Sequence, residues 1–199
     1  MLVEPINREC FIAEKVLINI VWANVYGFIV FFSALMIFGI PYFYLWTAKG
    51  KDYFKIFPSI ENIIIKFFFF ITMFLVGIIL HEIIHGFVFA MKAKNKFKSI
   101  KFGIMPKEKL FSPYCHCMEI VKINHYRISA IMPTLILGII PATFSIMFGS
   151  FVMFLLGSVF ISAGSGDLLM IIKMRKEKNN ALIYDLPNEA GFVLYRPKN

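Results

Sequence analysis

Long runs of apolar residues constrain this chain more than any other feature of its sequence. Residues 17–46 include no charged residue and end in a cluster of aromatic residues, which are typical of a membrane interface. Residues 63–91 form a second run, in which Lys66 and Glu82 are the charged residues. Because about 20 apolar residues suffice for a helix to cross a bilayer, both runs predict transmembrane helices.

Two further runs, residues 128–148 and 151–172, are separated by only Gly149 and Ser150. Helices joined by so short a connection must run antiparallel. The sequence therefore predicts four spans in total, at residues 17–46, 63–91, 128–148 and 151–172.

Prolines and small residues mark the last two spans. Pro133 and Pro141 are expected to bend the third span, because proline cannot donate a hydrogen bond within a helix. Residues 163–166 of the fourth span are all small, which lets a neighbouring helix approach closely.

The composition supports a membrane protein. Hydrophobic residues make up 59% of the 199 residues, with 24 Phe, and the mean hydropathy is +0.73, well above the values of soluble domains. The net charge of +9 could suggest nucleic acid as a partner. The Lys and Arg residues flank the apolar runs, however, so we expect the lipid bilayer and no nucleic acid. The three cysteines provide no disulfide framework and fit a reducing compartment.

The distribution of Lys and Arg predicts the orientation. Nine lie in residues 92–127, six from residue 173 onward, two before residue 17 and three in residues 47–62. Positive residues accumulate on the cytoplasmic side of a membrane, which places the 92–127 loop in the cytoplasm. With four spans, both the N-terminus and the tail at 173–199 join it there. No internal repeat or linker is visible, so residues 1–199 are expected to form one domain.

Short strands are predicted outside the spans. Residues 97–104 and 114–123 carry β-branched and aromatic residues around a stretch with Pro106 and Ser112, which predicts a cytoplasmic β-hairpin between spans two and three. Residues 181–185 and 192–195 are two further strand candidates. The expected fold is an all-α membrane protein of about four transmembrane helices with this small hairpin.

The second span contains His81, Glu82 and His85 in the sequence His-Glu-Ile-Ile-His, which is the zincin signature. Residues four apart on a helix share a face, so both imidazoles can bind one zinc ion. Zinc lowers the pKa of a coordinated water from about 15.7 to about 7, which lets Glu82 act as general base and then protonate the leaving amine. Alternatively, the histidines only hydrogen-bond neighbouring helices and Glu82 is protonated.

Asp167 is the predicted third zinc ligand, since zinc normally takes a third protein ligand and leaves a position for water. It is the only acidic residue besides Glu82 within a span. His85 and Asp167 lie seven and six residues before the first Lys that follows their spans, or about 9–10 Å from the cytoplasmic helix ends. The alternative is an interfacial Asp167 paired with Lys173 or Arg175.

Residues 114–117 read Tyr-Cys-His-Cys and could hold a second metal ion. In a strand, however, Cys115 and Cys117 share one face and His116 lies on the other, so the three donors do not easily converge. His116 is instead predicted to donate a hydrogen bond to the oxyanion formed when a peptide carbonyl is attacked. The alternative is a plain strand residue.

Taken together, the motifs resemble a known family. His-Glu-Ile-Ile-His-Gly at 81–86, Tyr-Cys-His at 114–116, Gly-Asp-Leu-Leu at 166–169 and Asp-Leu-Pro-Asn-Glu-Ala-Gly at 185–191 are similar to a bacterial family of unknown function described as putative zincin peptidases. The chain is also similar, more distantly, to site-2 proteases, which are intramembrane metallopeptidases. That resemblance implies zinc on His81, His85 and Asp167, with Glu82 as the base. Asp167 stands in Ser-Gly-Asp-Leu here, whereas site-2 proteases usually have Asp-Gly.

The expected function is hydrolysis of peptide bonds in a membrane-anchored protein or hydrophobic peptide by a zinc-activated water. A non-catalytic zinc-binding scaffold or sensor is the alternative, and an open coordination position distinguishes the two. A third possibility is a transport component with Glu82 and Asp167 as an ion relay, which four spans without repeats disfavour. The expected location is the bacterial cytoplasmic membrane, with both termini in the cytoplasm.

Overall fold

A computed structural model describes residues 10–50, 63–104, 113–187 and 189–198. The predicted turn with Pro106 and Ser112, and Asn188 of the last motif, lie outside these residues. Most of the described residues, 64%, are helical. Its α-helices are α1 (Ile20–Thr47), α2 (Ile63–Ala90), α3 (Ile123–Pro133), α4 (Ile140–Phe148), α5 (Phe151–Ala163) and α6 (Ser165–Met174).

Helices long and apolar enough to cross a membrane occupy the predicted spans. The described ranges contain three, Val21–Thr47, Ile64–Ala90 and Ile123–Phe148. Helices α5 and α6 meet at a bend of 45° and make a fourth if the bent pair is one span and not a re-entrant loop. The third helix begins at Ile123 and not at residue 128, because the mostly polar residues 123–127 form its first turn ahead of the apolar run. These lengths and compositions indicate a membrane protein.

The third span is irregular where the prolines lie. Between α3 and α4, residues Thr134–Ile139 form a π-helical segment, and the N–H of Ile140 donates to the carbonyl of Leu135. Pro141 has no N–H for the carbonyl four residues earlier, and the wider π register accommodates that missing bond.

The small-residue run interrupts the fourth span instead of continuing it. Helix α5 ends at Ala163 and α6 begins at Ser165. A Cβ atom at Gly164 would lie 1.9 Å from Thr134 Oγ1, so this position needs glycine for the close approach that the sequence predicted. The break also places Asp167 in the first turn of a new helix, where the sequence predicted the interior of a long one.

Strands are more numerous than predicted. They are β1 (Phe11–Leu17), β2 (Ile100–Ile104), β3 (Pro113–Cys117), β4 (Val121–Lys122), β5 (Leu182–Asp185) and β6 (Gly191–Pro197). Strands β2 and β3 pair antiparallel, which confirms the hairpin itself, although the residues before β2 form a 3-10 turn at Lys96–Ser99.

The other strands form an antiparallel sheet in the order β1-β6-β5-β4 within the described residues. Residues 121–122 pair with β5 and not with the hairpin, and β1 was not predicted. The all-α description is therefore incomplete, because β1 pairs with β6 across most of the chain length and a local pattern cannot reveal such a partner. The sheet packs on a buried core that includes Ile123, Tyr126, Met174, Ile183, Phe192 and Leu194.

The chain forms two compact units. One consists of the described residues of 24–81 and 133–165 and is helical; the other consists of the described residues of 1–23, 82–132 and 166–199 and holds both sheets. In the helical unit, the Tyr42 hydroxyl donates to the Gly149 carbonyl (3.2 Å) and Trp46 Nε1 donates to the Ile146 carbonyl (2.9 Å). The aromatic end of α1 is thereby fixed beside the turn that joins α4 to α5.

Candidate metal centre

The His-Glu-Ile-Ile-His sequence lies on α2, one residue before a glycine that brings another element close. His81 and His85 are buried, and Glu82 between them is half-buried. A Cβ atom at Gly86 would lie 2.5 Å from the ring of Phe102, so the β2–β3 hairpin packs against the helix beside His85. Helix periodicity alone places the two imidazoles on one face.

Asp167 meets this face from the first turn of α6. Its Oδ2 atom is 3.4 Å from Nε2 of His85. That separation exceeds an ordinary N–H···O hydrogen bond, and it matches the distance of about 3.3 Å between two ligand atoms of a tetrahedral zinc ion. The donor atoms of His81, His85 and Asp167 all lie within 4.8 Å of one another. Two imidazoles and one carboxylate at this spacing fit zinc.

The orientation of His85 is determined by a neighbouring helix. Its Nδ1 lies 2.8 Å from the backbone carbonyl of Ser129 on α3, and Ser129 Oγ donates to the His85 carbonyl at 3.1 Å. A carbonyl only accepts, so Nδ1 carries the proton, and in the neutral ring Nε2 has a lone pair on the Asp167 side. His85 thus makes a contact to a neighbouring helix and also offers a metal donor.

The C-terminal end of helix α6 is also bound to α3. The guanidinium of Arg127, also on α3, donates to the backbone carbonyls of Met174 and Glu177. A cation is favourable at a helix C-terminus, where carbonyl groups lack helical partners. Helix α3 therefore contacts both α2 and α6, the helices that carry His85 and Asp167.

His116 does not belong to the group of three donors. It is buried, and its Nδ1 lies 3.0 Å from Oδ2 of Asp185 on β5. The hydroxyl of Tyr126 donates to the other carboxylate oxygen of Asp185 at 2.9 Å. Asp185 accepts both bonds, so it orients the His116 ring. A catalytic role for His116 stays a prediction.

Asp185 is expected to stabilise the unit that holds the sheets. Asp185→Ala removes the acceptor of two donors, and we expect the free energy of unfolding to fall by about 2–4 kcal/mol, since each buried unsatisfied donor costs about 1–3 kcal/mol. Asp185→Asn keeps one acceptor oxygen and should lose roughly half as much. Thermal unfolding in detergent measures both changes, and an Asp185→Ala protein as stable as the wild type would contradict the assignment.

Cys115 and Cys117 are soft donors that stay outside the metal group. Burial, and then the negative charges of Glu82 and Asp185, raise the pKa of Cys115, and burial raises the pKa of Cys117 to about 11. Among the described residues, the group of possible metal donors consists of His81, His85 and Asp167, and neither cysteine is part of it.

Sequence reasoning missed three residues of this site's surroundings. Ser129 acts through its backbone carbonyl, which leaves no signal in the side-chain sequence. Arg127 stood among residues that a membrane interface explains equally well. Asp185 appeared only at the end of a predicted strand and as the first residue of the motif at 185–191, with no role given to it, and its place in that motif was the signal that could have identified it.

Comparison with curated proteins and with solved structures gives no match. A family described as putative zincin peptidase matches residues 74–182, more than half of the chain, and this range contains the predicted ligands, Glu82 and His116. The description indicates a metallopeptidase. With the family model covering both the zincin signature and Asp167, the chain belongs to this zincin peptidase family.

Proposed function

We propose that this protein is a membrane-embedded zinc metallopeptidase that cleaves a membrane-anchored protein or hydrophobic peptide. The observation that carries the proposal is the cluster of His81, His85 and Asp167, with Glu82 next to it on α2. His81, His85 and Asp167 would hold the zinc ion. When bound, zinc supplies Lewis acidity, which lowers the pKa of water and polarises a carbonyl.

The chain's own residues supply the proton transfers. Glu82 follows His81 directly on α2, and the proposed role of its carboxylate is to accept the proton of the attacking water and return it to the leaving amine. The proposed role of His116 is to donate from Nε2 to the oxyanion, with Asp185 holding the ring. Strand β2, which among the described residues pairs only with β3, offers an edge for an extended substrate.

The proposal is tested with purified protein in detergent and a library of fluorogenic hydrophobic peptides. Cleavage should stop when a chelator removes zinc and should return when zinc is restored. Cleavage that persists in the zinc-free protein would refute a metallopeptidase. Tightly bound zinc without cleavage of any peptide or membrane-anchored protein would favour the scaffold alternative.

The four-stranded sheet supports the proposed membrane topology. Its strands lie before α1 (β1), between α2 and α3 (β4) and after α6 (β5 and β6), and strands of one sheet must be on one side of a membrane. The chain must therefore cross an even number of times between β4 and β5. If residues 123–148 cross, α5 and α6 together must cross back, which gives four spans. The excess of Lys and Arg on this side makes it cytoplasmic, with both termini inside.

Cysteine labelling of intact cells tests this topology. Cys10 is exposed beside β1, and Ala48 is exposed after α1, at the opposite end of that span. A membrane-impermeant maleimide should label an Ala48→Cys, Cys10→Ser protein in intact cells and should label Cys10 of the wild type only after lysis. Cys115 and Cys117 should react slowly throughout, because Cys115 is half-buried, Cys117 is buried and the pKa of both thiols is raised. Equal labelling of positions 10 and 48 in intact cells would contradict four spans.

A further inference from the structure

The carbonyl that orients His85 belongs to a residue four positions before a proline. In an α-helix, the N–H of residue 133 would donate to the carbonyl of Ser129. Pro133 has no N–H, and its ring displaces the carbonyl four residues earlier from the helix axis. The carbonyl of Ser129 instead lies 2.8 Å from His85 Nδ1.

Building on the proposed function, we propose that Pro133 is a positioning residue for the metal site. It frees and tilts the Ser129 carbonyl, which then accepts the Nδ1 proton of His85 and leaves Nε2 to bind the metal. Pro133 is fully buried, as is Ser129, so solvent does not compete for this bond. The proline thus acts on the zinc ligand through one backbone carbonyl.

The effect expected from this bond is a change in metal affinity. Loss of a partner that orients a metal-binding histidine typically weakens metal binding about 10- to 100-fold. Any residue other than proline at 133 restores an N–H that draws the Ser129 carbonyl back along the helix axis. A carbonyl has two lone pairs and can keep a weakened bond to His85, so we expect a loss at the lower end of that range.

The side chain of Ser129 is a separate contact that the experiment can distinguish. Its hydroxyl donates to the His85 carbonyl at 3.1 Å. Ser129→Ala removes this hydroxyl but leaves the Ser129 carbonyl and Pro133 in place. A site oriented by the freed carbonyl should therefore be more sensitive to Pro133→Ala than to Ser129→Ala.

The experiment measures zinc affinity by competition with a chelator of known affinity, in detergent, for the full-length protein. Pro133→Ala and Pro133→Val should each bind zinc about 10-fold more weakly than the wild type, because both restore the N–H. Their side chains differ in size, so a loss shared by both variants comes from the N–H and not from packing. Pro141→Ala is the matched control, since it restores an N–H in the same span beyond the π-helical segment, and it should bind zinc as the wild type does. Size-exclusion elution confirms that each variant is folded.

The outcomes separate this inference from the proposed function. Wild-type affinity in folded Pro133→Ala or Pro133→Val would overturn the role of Pro133 and leave the metallopeptidase proposal intact. A larger loss in Ser129→Ala than in the proline variants would also overturn it. A wild-type protein that binds no zinc would overturn the proposed function, and the role of Pro133 with it.

Discussion

Glu82→Gln is expected to lose peptide cleavage by about 100- to 10,000-fold while keeping zinc bound. The amide has nearly the shape of the carboxylate but cannot accept a proton from water. Glu82 is not among the three donors of the metal group, so the substitution leaves the ligands unchanged. The rate of cleavage of a fluorogenic peptide and the zinc content of the same preparation measure the two effects separately.

Glu14→Gln is the matched control for this variant. Glu14 lies on β1 and pairs with Arg196, and an exposed ion pair of this kind contributes little to stability. The Glu14→Gln protein should therefore cleave the peptide at the wild-type rate. If Glu82→Gln cleaves like the wild type with zinc bound, Glu82 is not the base. If zinc is lost instead, Glu82 is a ligand.

Removing a predicted ligand is expected to have the second large effect, on zinc binding itself. The free energy of zinc binding to small zinc proteins is at least about 10 kcal/mol in magnitude. Loss of one of three protein ligands should therefore weaken zinc binding by about 3 kcal/mol, or more than about 100-fold in affinity. His81→Ala, His85→Ala and Asp167→Ala should each show this loss by metal analysis and chelator competition. Peptide cleavage should fall with the bound zinc.

His125→Ala is the control for the ligand variants. His125 is a partly exposed histidine on α3 and is not a member of the donor group. Its replacement should leave the zinc content unchanged. Wild-type zinc affinity in Asp167→Ala would show that the third ligand is another residue, and it would remove the main structural argument for the proposed centre.

Much of this protein could be predicted from local patterns. The apolar runs predicted the long helices because the length that crosses a bilayer is a property of a segment and not of its partners. The pairing of His81 and His85 followed from the helical period alone. Equal distances from the helix ends suggested that Asp167 lies level with His85, and the structure brings the two residues together.

The features that the sequence did not predict depend on partners far along the chain. Strand β1 contains Glu14 and Lys15, and its position is determined by the antiparallel register with β6. The small residues before Asp167 were expected to serve close packing, and Thr134 does occupy the space of a Cβ atom at Gly164. Gly164 is also the C-cap of α5, a break in the span that was not predicted.

The sequence by itself identified the candidate zinc ligands and the segments apolar enough to enter a membrane, because both depend on side-chain chemistry and on the period of one helix. Only the tertiary structure decided how the ligands are oriented. Three groups form hydrogen bonds between different elements of the fold: the Ser129 carbonyl, the Arg127 guanidinium and the Asp185 carboxylate. Every residue has a backbone carbonyl, so the residue type does not show which carbonyl will orient a ligand. Hydrogen bonds between distant segments arise only when the fold brings donor and acceptor within about 3 Å.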